Sequence, residues 1–179
     1  MSDPARLFAA VTPSPKVVSA LREELDRHLL ERGPLRWVET PQWHITLGFY
    51  GKDDPDGRVS WLRPRLAGLS APTVRLVGAG SFSGVLWIGV REHGLTEVAE
   101  EIRPEGQTRP FHPHLTLARG RASGAIDAIE RWRRRLAEFE SPEWTAAEVV
   151  LFRSDRVEDG RRAGPRYSVV ERFPLDAPG

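Results

Sequence analysis

The amino-acid sequence predicts an α+β fold built from antiparallel strands. Patterns typical of helices and of strands alternate along the 179 residues. Several neighbouring strands are also joined by turns too short for the crossover that a parallel pair requires, such as the loop at 78–84. With 40% hydrophobic residues, the chain can bury one sizeable core. We therefore expect a single domain over residues 1–179.

The first half of the chain begins with an apolar, strand-like run that a proline-rich turn ends. Val17 and Leu21 then belong to an apolar stripe at helical spacing, and Gly33 and Pro34 mark the end of that helix. Pro64 lies inside the next helical pattern, where proline is unfavourable. The expected elements are a strand at 6–11, a helix at about 16–31, a strand around His44, a helix at 58–69, and strands at 74–77 and 85–90.

The second half repeats this order in outline. Ile126, Ile129 and Trp132 begin an apolar stripe at helical spacing, which predicts a helix that starts near Ser123. The expected elements are a helix at 95–102, a strand around His114, the helix from Ser123, and strands at 147–153 and 167–174.

Composition excludes several classes of function. The net charge of +1 provides no general attraction to nucleic acid, although 26 residues are basic and all but two of these are arginine, which grips phosphate with paired donors. The absence of cysteine excludes thiolate metal sites and cysteine nucleophiles. The sequence contains no apolar run of about 20 residues and no signal-like N-terminus, so we expect a soluble, cytoplasmic protein without membrane contact.

Two short apolar runs each contain a histidine followed two residues later by a threonine. The pairs are His44 with Thr46 and His114 with Thr116. Residues i and i+2 of a strand share one face, so each run presents an imidazole beside a hydroxyl while its apolar residues face a core. Two such pairs from distant parts of the chain predict two halves of one site.

With these two motifs and seven further blocks, which follow the order found in the family, the chain resembles the two-histidine phosphoesterases. Within this superfamily it is similar to the bacterial RNA 2',3'-cyclic phosphodiesterases, formerly called 2'-5' RNA ligases. The blocks are residues 6–10, 36–38, 48–51, 86–89, 109–111, 118–119 and 151–154. The resemblance implies a bilobal α+β fold, in which two antiparallel sheets form a V-shaped groove with helices packed outside and one motif on each wall.

The resemblance also implies a reaction and roles for the site residues. Opening a cyclic phosphodiester requires a base for the attacking water, an acid for the departing sugar oxygen, and donors to the phosphoryl oxygens. By analogy with the family, His44 is the general acid and His114 the general base, while Thr46 and Thr116 bind the phosphoryl oxygens. We expect no metal and no cofactor. The expected partners are RNA or nucleotides with cyclic phosphate ends, acted on by a monomer.

Arg119 and Phe49 are further candidates for substrate binding by resemblance to the family. Arg119 would neutralise the phosphate, and Phe49 would stack on a base near the groove mouth. Simple strand alternation places both side chains on the core side instead, although a bulge or the end of the strand would rotate Arg119 into the groove. The alternatives are an ordinary surface position for Arg119 and core packing for Phe49. Four other aromatic residues are expected to pack in the core or in a hairpin, namely Tyr50, Phe82, Trp87 and Phe111.

Other interpretations remain open. His112 and His114, with His44 opposite, are compatible with a three-histidine zinc site, although exposure of His112 at the groove rim is the simpler alternative. The arginine-rich segment at 131–135 suits either RNA contact or an ordinary solvated helix face. The alternative functions are 2'-5' phosphodiester chemistry on RNA, including ligation, and a non-catalytic module that binds RNA ends or nucleotides.

Overall fold

A computed structural model describes residues 2–28, 32–159 and 162–178 of the chain. The strands are β1 (Ala5–Val11), β2 (Arg36–Trp37), β3 (Ile45–Asp53), β4 (Thr73–Phe82), β5 (Val85–His93), β6 (His114–Arg119), β7 (Trp144–Thr145), β8 (Glu148–Asp159) and β9 (Arg162–Pro174). The helices are α1 (Pro15–Asp26), α2 (Pro55–Leu66), α3 (Leu95–Glu101) and α4 (Ala125–Arg135), and a short 3-10 helix covers Thr40–Gln42.

The strands form one continuous, strongly curled antiparallel sheet. Its order within the described residues is β7-β4-β5-β6-β3-β1-β8-β9, with β2 paired to β6. The predicted α+β class with antiparallel pairing is therefore confirmed. In place of two separate sheets, β3 and β6 are joined through the pair Ile45–Leu115. This junction lies directly after the histidine of each predicted motif.

The core occupies the face of the sheet on which the helices pack. Strand β1 contributes Leu7 and Ala9 to this core, while Leu21 and Leu25 of α1 are buried in it, as the helical stripe predicted. The predicted stripe of the fourth helix is wrong at Ile126, which is 78% exposed. That helix starts at Ala125, and it faces the core through Ala128, Ile129 and Trp132.

Helix α1 differs from the sequence expectation at its end, and helix α2 differs at both ends. Helix α1 ends at Asp26 rather than near residue 31, and positions 29–31 of that expectation lie outside the described residues. Helix α2 begins at Pro55 instead of residue 58, because Asp54 caps it by accepting a hydrogen bond from the backbone N–H of Gly57 at 3.0 Å. It continues past Pro64 but ends at Leu66 rather than at residue 69.

No helix in the described part of the chain is both long and apolar enough to span a bilayer.

Candidate active site

The two histidine motifs have the alternating burial that the sequence predicts for strands. The histidines and threonines, His44, Thr46, His114 and Thr116, are all half-buried. The intervening apolar residues, Ile45, Leu47, Leu115 and Leu117, are buried. Each motif therefore presents its imidazole and hydroxyl on the face of the sheet opposite the core.

The junction between β3 and β6 brings the motifs together. Ile45 pairs with Leu115 in antiparallel register. Ile45 directly follows His44 and Leu115 directly follows His114, so this pair brings the two motifs side by side. The charge of His114 acts on His44, so the polar side chains of both motifs face one space.

Both imidazoles are held in the same tautomer. Nδ1 of His44 donates to the carbonyl of Gln42 at 2.7 Å, and Nδ1 of His114 donates to the carbonyl of His112 at 2.8 Å. Because a carbonyl oxygen only accepts, these bonds place the proton of a neutral ring on Nδ1 and the lone pair on Nε2. Nε2 is then the atom available for proton transfer at each position.

The pKa of both histidines lies below the ordinary value of 6.5. Burial is the main cause, since it disfavours the charged ring, and the hydrogen bond from each Nδ1 partly opposes it. The positive charge of Arg119 lowers the pKa of both rings further, as does His114 for His44 and His112 for His114. A guanidinium that acts on both histidines lies near the space between them.

A β-bulge explains how Arg119 leaves the core side of its strand. Along β6, Ala118 pairs with Leu86 and Thr116 with Trp87, so Leu117 is the extra residue between them. Leu117 and Ala118 are both buried, and Arg119 is exposed. The bulge thus shifts the alternation by one residue, so that Arg119 shares the face of the motif hydroxyls.

Strand β3 contains a similar β-bulge. Ala9 pairs with Gly48 and Ala10 with Thr46, so Leu47 is the extra residue of a second bulge. Phe49 then pairs with Phe8 and is 51% exposed. Phe49 and Arg119 occupy the same place in the two motifs, five residues after the histidine, and both are rotated away from the core.

Aromatic rings surround His44. Phe8 lies 4.9 Å from its ring and Tyr167 lies 5.3 Å from it, measured between ring centroids, while Phe152 packs on Phe8 at 5.3 Å. Sequence reasoning missed all three. For Phe8 a signal was available, because Leu7 and Ala9 flank it on the core side of β1, so alternation alone assigns it to the opposite face. The three aromatic rings exclude water from the His44 ring, which accounts for its desolvation.

Aromatic rings also contact His114. Phe82 lies 5.4 Å and Trp87 5.9 Å from the His114 ring, measured between centroids. The two rings also pack on each other across the β4–β5 hairpin at 6.0 Å, which confirms their expected hairpin packing. Trp87 reaches this position by lying over Gly80, where any Cβ would collide with its indole. The expected core packing of Tyr50 and Phe111 is confirmed.

The side chains proposed to bind phosphate have no partner in the described protein. Neither the hydroxyls of Thr46 and Thr116 nor the guanidinium of Arg119 makes a hydrogen bond or ion pair with any described residue. Three unengaged donors beside two imidazoles make a site that suits a small oxyanion. The same residues can stabilise negative charge that develops on that anion.

The three-histidine metal arrangement has no geometric support. No three His, Cys, Asp or Glu side chains among the described residues are grouped so that they would hold a metal ion, and His112 is exposed. In the arginine-rich segment of α4, Arg131 and Arg134 are exposed, whereas Arg133 and Arg135 are half-buried. Glu130 pairs there with Arg133 and, at 3.7 Å, with Arg134.

Comparison with known proteins agrees with the fold and the motifs. Residues 58–158 match the 2'-5' RNA ligase superfamily, and residues 11–91 match the LigT like Phosphoesterase family. The chain belongs to this family of two-histidine phosphoesterases, which confirms the resemblance drawn from the sequence. Two relatives that the chain matches in sequence are both named RNA 2',3'-cyclic phosphodiesterase.

The relative from Thermus thermophilus is 32% identical, over 95% of this chain and 90% of that protein. The one from Geobacillus stearothermophilus is 29% identical over 78% of this chain, which spans only 47% of that protein's length. The crystal structure of Escherichia coli LigT complexed with NADP+ superposes with a TM-score of 0.71 at 26% identity, covering 97% of this chain and 99% of that one.

Proposed function

We propose that this protein hydrolyses RNA or nucleoside 2',3'-cyclic phosphate to a 2'-phosphate end by metal-independent acid–base catalysis. One observation carries the proposal: two histidines with the same fixed tautomer face one space, together with two threonines and an arginine that lack partners among the described residues. That set matches the needs of in-line displacement at phosphorus, namely a base, an acid and donors to the non-bridging oxygens. Relatives named RNA 2',3'-cyclic phosphodiesterase support this substrate.

In the proposed mechanism, His114 removes a proton from water through Nε2, and water attacks phosphorus. His44 then protonates the departing 3' oxygen through its own Nε2. Thr46, Thr116 and Arg119 hold the non-bridging oxygens and offset the charge that builds up on them. The division of acid and base follows the family analogy, since both rings have the same hydrogen-bonding pattern.

We further propose that the two halves of the curled sheet act as the two lobes of a V-shaped groove, with one motif on each wall. Phe49, exposed on the motif face, would stack on a base of the bound RNA. We also propose that residues 1–179 work as one domain, as a monomer in the cytoplasm. Size-exclusion chromatography with light scattering measures the molar mass and so tests whether the protein is a monomer.

Phosphorus NMR of products from a cyclic-phosphate RNA tests the activity. We expect conversion to the 2'-phosphate, with most turnover lost in His44→Ala and in His114→Ala. Full activity of either variant would refute the two-histidine mechanism. Turnover confined to linear 2'-5' oligomers would instead indicate 2'-5' chemistry, and binding without turnover of any substrate would indicate a non-catalytic module.

A substrate with sulfur in place of the bridging 3' oxygen tests the assignment of acid and base. A thiolate leaves without protonation, so the loss of the general acid costs little on this substrate. We expect the sulfur to restore turnover in His44→Ala and not in His114→Ala. Restoration of His114→Ala alone would reverse the two roles.

A further inference from the structure

The chain contains two tyrosines, and their hydroxyls are in different situations. Tyr50 donates its hydroxyl to the carbonyl of Ile102 at 2.7 Å, so this group is used for packing. Tyr167 is half-buried, and its hydroxyl makes no hydrogen bond to any residue that the structure describes. A half-buried hydroxyl usually has a partner, so the free donor of Tyr167 is a candidate for contact with a ligand.

The ring of Tyr167 is placed against His44 by contacts from both sides. It lies edge-on to the imidazole, with 5.3 Å between centroids and 88° between planes, and 4.9 Å from Phe8. Gln42 links the segment of His44 to the segment of Tyr167. Its side-chain N–H donates to the carbonyl of Pro165 at 3.0 Å, and its backbone carbonyl accepts from Nδ1 of His44. The position of Tyr167 relative to His44 is therefore defined by the fold.

Tyr167 also shares its surroundings with Arg119. Burial raises the pKa of the phenol, so it keeps its proton at neutral pH, and the charge of Arg119 opposes this rise. The charge of Arg119 also lowers the pKa of both motif histidines. The phenol, the guanidinium and the imidazoles consequently lie around one space.

We propose that Tyr167 is a further catalytic residue, whose O–H donates to a non-bridging oxygen of the cyclic phosphate on the side of His44. The inference rests on the proposed function. Tyrosine exchanges no proton with the substrate in this role. Its hydrogen bond strengthens as negative charge accumulates on that oxygen in the transition state, so it lowers the barrier rather than only tightening binding.

Tyr167→Phe is the direct test, since it removes the hydroxyl and keeps the ring that packs on His44 and Phe8. A hydrogen bond to a charged oxygen corresponds to a loss in kcat/KM of roughly 10- to 100-fold. Tyr50→Phe is the matched control, because it removes a hydroxyl that bonds only to the backbone. We expect it to lower Tm and to leave kcat/KM unchanged. Equal kcat/KM of Tyr167→Phe and wild type would overturn the inference.

Phosphorothioate substrates separate a direct contact from a structural effect. Sulfur replaces one non-bridging oxygen at a time in the two diastereomers, and sulfur accepts hydrogen bonds weakly. We expect the defect of Tyr167→Phe to shrink for one diastereomer only. An equal defect for both would show that Tyr167 acts through the fold and would refute the contact.

Binding of inorganic phosphate, followed by calorimetry, keeps this inference separable from the proposed function. If wild type lacks turnover, the proposed function fails, and weaker phosphate binding by Tyr167→Phe than by Tyr50→Phe still supports the contact. Equal phosphate binding by both variants in that case would refute it.

Discussion

Arg119→Gln removes a positive charge that lowers the pKa of both motif histidines. The bulge at Leu117 turns this side chain onto the motif face, where it has no ion pair within the described chain. If it binds the phosphoryl group, glutamine loses a charge-assisted hydrogen bond worth about 1.5–3 kcal/mol. That loss corresponds to a decrease in kcat/KM of roughly 10- to 150-fold.

The same substitution has a second, independent readout. Without the positive charge, the pKa of His44 and of His114 is expected to rise, because less work is required to protonate each ring. Titration of the histidine Cε1–H signals by NMR measures this shift directly, without substrate.

Arg131→Gln provides a matched control for Arg119→Gln. Arg131 is exposed on α4, and its replacement changes the net charge of the protein by the same amount. We expect Arg131→Gln to alter neither the kinetics nor the histidine titrations. If Arg119→Gln also leaves kcat/KM and both pKa values unchanged, Arg119 faces bulk solvent, and the argument from the bulge is wrong.

Four further predictions concern the histidines and their supports. Folding lowers the pKa of both motif histidines below 6.5, so the folded state binds fewer protons than the unfolded chain in this range. The free energy of unfolding, measured with urea, should therefore fall as the pH drops through 6.5 and below. The alkaline limb of kcat/KM should have its midpoint below 6.5, since the acid must be protonated. Phe8 is 4% exposed, so Phe8→Ala should cost about 3–5 kcal/mol of unfolding free energy and raise the pKa of His44, seen by NMR. Gly80→Ala should displace Trp87 and cost roughly 1–3 kcal/mol in denaturant unfolding, whereas Gly164→Ala, with open space around its Cβ, should be neutral.

The elements that sequence reasoning predicted well are those with strong local periodicity. Leu21 and Leu25 recur at helical spacing and are buried, and the strands around both motifs lie where the alternation indicates. Helix boundaries were less accurate, because the cap that starts α2 depends on one side chain, Asp54, rather than on the apolar pattern. The two-residue strands β2 and β7 are too short to show any period.

The candidate site shows where local periodicity stops being informative. Alternation placed Phe49 and Arg119 on the core side, and one extra residue in each strand reverses both positions. A bulge depends on how two strands share their hydrogen bonds, which a single strand's sequence does not record. Tyr167 comes to His44 from β9, across two intervening strands of the sheet.

By itself, the sequence determined the chemical content of each half-site: an imidazole and a hydroxyl on one face of a strand whose other face is apolar. This follows from the two-residue period of a strand, a local property of the backbone. Only the tertiary structure decided which side chains share the space between the halves. The Ile45–Leu115 pair sets the two motifs together, and the bulges and aromatic neighbours surround them. Those features arise from pairing between distant segments, and pairing is a property of the folded sheet.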